Sequence, residues 1–505
     1  MELSQIEFAG TGGQAVAPEI TRALSKVMVP PGIRPLAVVC QVRDEANAIL
    51  RQSGWIASAS LPPQNVDGSL RIAITSGTIN EVKIEGDAGP YSDTIDSLTS
   101  KLRQLNPLNE YEVERILLNA IDVPGLDVRL TLAPSKAGRG QIDGTLKVNF
   151  IRFAGFANIR NLNARSVGRE TVFGRIEFYG LTGLSDSSYL GAQSTIDFKE
   201  QFVVQAGHEF GIGLDNVRIG AGVVYAESRP SVGRLDIKTD TLVANLFASY
   251  PLIRTPASAL DLSIGFDFAD QSTDLGPLRL SQDSIRTLYL RAELDGQKRR
   301  LNRSTSLLYN GFIEVRRGLS IFDATEFGPT GFAQTGNRIA SRPFGSATAT
   351  VFRGGVDVTW LTDTILDARA KVEGQWTDDP LLSFDEFAVG NLSIGRGYDP
   401  GANSGDRAIG AQFELGANLI SEASKRLQLF GFFDIVQIEN LDPRTPQASR
   451  TLRSVGGGLR FNLTRGLNAE LVYAAPLTPA LFGDRENPPQ RLLFSITTQF
   501  PALVR

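Results

Sequence analysis

The stretch ALDLSIGFDF, residues 259–268, governs how the larger part of this chain is read. Successive side chains of an extended backbone point to opposite faces. Leu260, Leu262, Ile264, Phe266 and Phe268 therefore share one face, and Asp261, Ser263, Gly265 and Asp267 the other. The pattern recurs in IRTLYLRAEL (285–294), where Leu288, Leu290, Ala292 and Leu294 oppose Thr287, Tyr289, Arg291 and Glu293. It recurs again in RLLFSITTQF (491–500), where Leu492, Phe494, Ile496, Thr498 and Phe500 oppose Leu493, Ser495, Thr497 and Gln499. From residue 154 onward this period of two dominates and helical spacing nearly vanishes. Turn formers are read between the strands: SSY (187–189), LDG (294–296), TRG (464–466) and the longer GPTGFAQTGNRIASRPFG (328–345). Ten-residue alternation fits a large soluble β-sandwich or a transmembrane barrel with an apolar outside and a polar lumen. Length separates the two, because a tilted strand crosses a bilayer in ~9–11 residues and ordinary strands average ~5–6. At roughly 22 residues per strand and connection, 155–505 holds about 16 strands, an even number as bacterial barrels require.

The first part of the chain has a different grammar. Pro18 stands at an early helical position, followed by Ile20, Ala23, Leu24 and Val27 at helical spacing. Residues 36–50 form a second helix closed by Gly54, and Leu70, Ile72 and Ile74 alternate as a strand. The order strand, helix, helix, strand, strand fits residues 3–77. It repeats with a strand at 81–86, helices at 94–105 and 110–121, and strands at 126–132 and 144–151. Two tandem modules are expected, 1–77 and 78–153, followed by a barrel at 154–505 containing an in-folded loop around 387–410.

Composition excludes several function classes. With 505 residues the chain exceeds one ordinary core. Its 51 basic and 55 acidic residues, net -4, argue against a nucleic-acid partner. The 50 glycines suggest turns and close backbone approaches. Cys40 is the single cysteine and His208 the single histidine, so neither a disulfide nor a Cys/His metal site is expected. His208, in FVVQAGHEF, reads as a wall residue, and the acidic pairs Asp378-Asp379 and Asp385-Glu386 read as solvated loop charge. No catalytic residue, metal or cofactor is expected, and no Gly-x-x-x-x-Gly-Lys-Ser/Thr loop supports nucleotide hydrolysis. No apolar run reaches the ~18 residues of a membrane helix. MELSQIEFAG lacks the features of a signal peptide, so if the protein is exported its targeting segment is expected to have been removed.

Three segments then carry a resemblance. PLNEYEVERILLNAIDVPGLDVRLTLAPS (107–135) is similar to the second periplasmic POTRA module of the two-partner secretion transporters, the ShlB/FhaC/HecB (TpsB) family. The matching residues are Glu114, Arg115, Leu117, Leu118, Asp122, Pro124, Gly125 and Pro134. SGTINEVKIEG (76–86) resembles the join between the two modules, with Gly77, Ile79, Val82, Ile84 and Gly86 in place. Gly395-Arg396-Gly397-Tyr398 resembles the family's Val-Arg-Gly-Tyr/Phe loop motif, with Gly395 in place of valine. The resemblance implies two POTRA modules followed by a 16-stranded outer-membrane β-barrel that exports one large β-helical partner protein.

Arg396 gains a partner through the segment LQLFGFFDIVQI (427–438). Leu427, Leu429, Gly431, Phe433 and Ile435 share one face, so Asp434 lies on the other. If the first face meets lipid, Asp434 points into the lumen, where a carboxylate is tolerated. Phe432-Phe433-Asp434-Ile435-Val436 resembles the family's F/G-x-D-x-G strand motif, with Val436 in place of the last glycine. The resemblance implies that Arg396 folds into the lumen and pairs with Asp434. Gly395 and Gly397 would allow the tight approach and Tyr398 would pack on the wall.

The expected function is outer-membrane protein secretion, with the POTRA modules in the periplasm recognising an unfolded exoprotein. The expected partners are that client and outer-membrane lipid, and the transporter is expected to act as a monomer. The alternative is an assembly factor of the same superfamily; two modules rather than about five favour secretion. A passive porin would not need tandem modules.

Overall fold

The computed structural model describes residues 5–11, 15–28, 33, 35–65, 68–212, 217–299, 305–329, 331–422, 425–443, 445–464 and 466–501. The chain forms two compact units, residues 1–152 and 153–505.

In the first unit β1 (Gln5–Gly10), α1 (Pro18–Leu24), α2 (Val38–Gln52), β2 (Ala57–Ser60) and β3 (Ser69–Ser76) make one module. The central strand β3 pairs parallel with β1 and antiparallel with β2. Leu70, Ile72 and Ile74 place their side chains on the face that meets Ile20, Leu24, Val42, Ala46 and Leu50 from the two helices. The spacing i, i+4, i+8 of the α2 residues is what makes one helical face apolar. β4 (Thr78–Asp87), α3 (Ser92–Gln104), α4 (Glu110–Ile121), β5 (Leu126–Pro134) and β6 (Gln141–Phe150) repeat the arrangement, with β6 in the centre. Their core gathers Ile95, Leu98, Leu102, Val113, Ile116, Leu146 and Val148.

Asn109 starts α4 by accepting a hydrogen bond from the Tyr111 N–H at 2.9 Å, and its amide donates to the Ser53 carbonyl at 3.1 Å. That side chain thus caps a helix and ties one module to the next. Glu114 is half-buried on α4, and the exposed Arg115 donates to Glu112 at 2.8 Å. Asp122 closes the helix, and Pro124-Gly125 turns into β5, with the Gly125 carbonyl accepting from the Ile151 N–H at 2.8 Å.

The second unit is a closed antiparallel barrel of sixteen wall strands. The first, Phe153–Arg160, pairs with the last, Arg491–Phe500, from Arg160↔Ser495 to Gly155↔Phe500. Ser231–Val232 only prolongs one hairpin. Connections alternate between the two ends. At one end they are short, as at 255–257 and 362–365, and at the other they include 319–349, 378–406, 440–448 and 477–490. That asymmetry is the one found between the periplasmic and extracellular ends of outer-membrane barrels. The alternation read from sequence holds: Leu262, Ile264, Leu288, Leu290, Leu492 and Ile496 are exposed on the outer face, whereas Asp267 accepts from Asn245 and Arg316 inside.

Two expected turns lie inside strands. Leu294–Gly296 sits within the 22-residue strand Leu278–Arg299, and Ser187–Tyr189 opens the strand Ser187–Thr195. The third, 464–466, includes Arg465, outside the described residues. The glycine content has a second cause beyond turns. A Cβ on Gly207, Gly220, Gly265, Gly456 or Gly458 would strike the ring of Tyr189, Phe247, Tyr289, Phe432 or Phe430 respectively, at 2.4–2.8 Å. Wall glycines therefore seat aromatic rings flat against the barrel. Gly296 does the same for Tyr309 and stays in the ladder between Ser258 and Tyr309.

The outer face gives a direct test. Ile313 is 71% exposed there, in the strand Thr305–Gly318. Ile313→Arg is expected to cost about 2–4 kcal/mol at the bilayer midplane, measured by urea unfolding from lipid vesicles, whereas Ile313→Val should leave the midpoint nearly unchanged.

Candidate functional site

Between the eleventh wall strand (Leu366–Thr377) and the twelfth (Arg407–Ser421) the connection 378–406 turns back on itself. Phe387–Val389 pairs antiparallel with Asn403–Gly405, making a small hairpin whose tip carries SIGRGYDPG. Of the segment expected to fold inward, 387–406 belongs to this hairpin and 407–410 to the wall.

The tip meets the thirteenth wall strand (Arg426–Glu439) through a forked contact. Arg396 Nη2 donates to Asp434 Oδ1 at 2.8 Å, Nε lies 3.2 Å from Oδ2, and the Arg396 backbone N–H donates to Oδ2 at 2.8 Å. The Ser454 hydroxyl adds a bond to Oδ2 at 3.2 Å. Asp434 is 0% exposed and the Arg396 side chain 15%. A planar guanidinium facing a carboxylate in this way fixes orientation as well as distance. The remaining nitrogen, Nη1, donates to Glu414 Oε2 on the twelfth strand at 2.9 Å, and the guanidinium carbon lies 3.7 Å from the Phe432 ring centre. One loop cation thus meets two wall carboxylates and one aromatic face.

The glycines have separate tasks. Gly395 has φ +110°, which a side chain disfavours. Gly397 is a matter of space: a Cβ there would lie 2.7 Å from Ser454 Cβ and 2.8 Å from the Pro476 nitrogen. Tyr398 is fully buried, its hydroxyl 2.8 Å from the carbonyls of Arg453 and Thr478. Val436, where the motif has glycine, belongs to the apolar cluster of Val389, Ile394, Tyr398, Ile438 and Leu452. The departure from the motif fills space against the loop.

A second cluster holds the base of the hairpin, and the sequence reading missed it. Arg342, from the connection 319–349, donates to Leu381 O at 2.9 Å, Glu386 Oε1 at 2.8 Å, Asp406 Oδ2 at 3.1 Å and, through Nε, Asp442 Oδ2 at 3.0 Å. Asp406, fully buried, also accepts from the N–H groups of Leu381 at 2.7 Å and Leu441 at 2.6 Å. Burial pulls the Arg342 guanidinium toward deprotonation, but the surrounding carboxylates outweigh it and raise its pKa. Burial raises the Glu386 carboxyl above its usual range against the pull of Arg342. The reading of Asp385-Glu386 as solvated is therefore corrected: their side chains are 13% and 9% exposed, because the loop that bears them packs inward. Asp378 does face solvent, next to Arg407 at 3.1 Å. An arginine in a loop far away in sequence gives no periodic signal, and nothing local in the sequence links it to Asp406. Arg491 from the last wall strand lies 2.9 Å from Asp399 and donates to the Tyr398 carbonyl at 2.7 Å. His208 sits on a wall strand, its Nδ1 2.8 Å from the Ser188 hydroxyl.

Asp434→Ala strands Arg396 beside a wall that has lost its main counter-charge, an imbalance of about 3–5 kcal/mol for a desolvated pair. The loop 387–406 is expected to become cleavable by trypsin added to intact cells, with Gly397→Ala giving the same effect more weakly. Unchanged protection in both variants would argue against a docked loop.

Comparisons place this geometry among known proteins. The haemolysin secretion/activation protein family ShlB/FhaC/HecB matches residues 148–461. The heme/hemopexin transporter protein HuxB of Haemophilus influenzae (strain 86-028NP) is 21% identical over 495 residues, covering 94% of this chain and 83% of HuxB. The solved structure of CdiB from Escherichia coli superposes with a TM-score of 0.75 at 17% identity, covering 99% of this chain and 90% of CdiB. CdiB from Acinetobacter baumannii gives a TM-score of 0.64 at 16% identity over 99% and 90% of the two chains. A chain with this barrel and a family match across most of it belongs to the haemolysin secretion/activation family ShlB/FhaC/HecB, and is a two-partner secretion transporter of the outer membrane.

Proposed function

We propose that the hairpin 387–406 is a latched element of the export path, and that the Arg396–Asp434 contact is its anchor. The observation that carries this reading is the complete burial of Asp434 beneath a loop arginine. A fully desolvated carboxylate on a barrel wall needs a cation, and here the cation comes from a segment that enters from outside the wall. The hairpin is joined to the wall by contacts that can be broken together, so its position inside the lumen is a state rather than a fixed feature of the barrel.

The client is a large secreted protein, as family membership implies. In our reading it arrives unfolded, crosses as a monomeric transporter's cargo and acquires its β-helical fold outside. Among the described residues, β1 and β2 are the edge strands of one small sheet of the first unit and β4 and β5 those of the other. An unfolded chain can add to such an edge through main-chain hydrogen bonds, leaving selectivity to a few side-chain pockets. No nucleotide is needed: a client that folds outside cannot return, and its folding supplies direction.

Export tests the anchor. Arg396→Ala and Asp434→Ala, each checked for normal insertion by heat-modifiable gel mobility, are expected to lower the amount of co-expressed partner protein outside the cell at least tenfold, a loss of about 1.4 kcal/mol in the step they control. Normal export by both variants would remove the anchor from the mechanism.

A further inference from the structure

The connection 319–349 has a feature that the latch does not use. Immediately after the ninth wall strand (Thr305–Gly318), Ile321 and Phe322 project from the barrel, 41% and 68% exposed. Phe322 and Asp323 have φ of +52° and +55°, a region that Asp tolerates and a bulky ring such as that of Phe322 rarely adopts. Two adjacent residues in this region are held there by their surroundings. The Leu319 N–H donates to the Arg286 carbonyl at 2.8 Å, Arg286 Nε donates to the Phe322 carbonyl at 3.2 Å, and the Thr325 N–H donates to the Ser284 carbonyl at 2.8 Å.

The turn carries these side chains outward, with Phe322 over the wall. The Phe322 ring lies edge-on to Phe266, with centroids 6.5 Å apart at 79°. Phe266 belongs to the outer face, in alternation with the exposed Leu262 and Ile264 and in register with Leu246 and Leu288. One rung further along, Arg286 lies 3.4 Å from the Phe268 ring centre, donates to Asp270 at 2.9 Å and is only 2% exposed. A paired charge on the outer face, covered by this turn, marks where the apolar band stops.

We propose that Ile321 and Phe322 form an interfacial foot that enters the acyl region of the outer leaflet, extending the lipid-facing band beyond the wall. The occupant is a lipid chain because the patch is continuous with Phe266, Leu246 and Leu288, which already face lipid in a membrane barrel. Apolar and aromatic side chains at the bilayer boundary resist displacement in either direction. The foot begins the connection whose far side carries Arg342, so it fixes to the membrane the loop that clamps the base of the hairpin.

The proposal rests on the outer-membrane reading of the barrel, and its test separates the two. Ile321→Cys and Phe322→Cys, each in a Cys40→Ser background, carry a nitroxide label in vesicles of phosphatidylethanolamine and phosphatidylglycerol. Leu290→Cys on the outer band and Leu278→Cys at the tip of a hairpin serve as references. The ratio of oxygen to nickel-chelate accessibility at 321 and 322 is expected to match Leu290 and to exceed Leu278 several-fold. Ratios matching Leu278, with Leu290 in lipid, overturn the foot. An aqueous ratio at Leu290 itself would overturn the membrane placement with it. Should Phe322→Cys fail the gel-mobility check, Ile321→Cys carries the measurement alone.

Discussion

The Asp434 carboxylate, cut off from solvent on the barrel wall, needs a cation beside it, and the proposed latching of the hairpin rests on that need. Arg396 meets that requirement with its side chain and with its own backbone N–H. Everything around the pair serves the approach. Gly395 permits the backbone conformation, Gly397 permits the distance, Tyr398 is buried against the strands beyond, and Val436 fills the space left beside Ile394. A longer side chain at 397 or a lost charge at 434 would undo several of these at once, because they share one geometry.

The same layering recurs around the inner wall. A glycine seats an aromatic ring, an arginine lies over the ring, and a carboxylate faces the arginine. Gly207, Tyr189, Arg175 and Glu177 form one such stack, and Gly458, Phe430, Arg460 and Glu414 another. At Gly456, Phe432 and Asp434 the arginine comes from the loop instead. The hairpin therefore occupies a position that the wall fills by itself elsewhere. Its base is fixed separately by Arg342, which gathers carboxylates from the connections 378–406 and 440–448. The tip is thus anchored to the wall and the base to neighbouring loops.

Much of this was legible in the chain. Period-two alternation in 259–268 and 427–438 shows which residues face outward, and the strand, helix, helix, strand, strand order of both modules follows from apolar spacing. Arg396 and Asp434 could be paired only through resemblance, since nothing local links residues on a loop and a strand. Arg342 and Asp442 were out of reach for the same reason. Gly296 reads as a turn in sequence because a glycine that makes room for a cross-strand ring looks like one that bends the chain. Leu294–Gly296 shows the consequence: the strand runs through it, Gly296 paired with Ser258 and Tyr309 on its two sides and leaving room for the Tyr309 ring.

In the proposed latch, the Arg396–Asp434 pair holds the hairpin in the lumen. The direct measurement is the distance distribution between spin labels at Leu392→Cys on the hairpin and Leu246→Cys on the wall, in a Cys40→Ser background, by pulsed electron spectroscopy in lipid. A single narrow distribution is expected for the otherwise native chain and a broad, shifted one when Arg396→Ala is added. The same narrow distribution in both chains would show that the pair does not hold the hairpin.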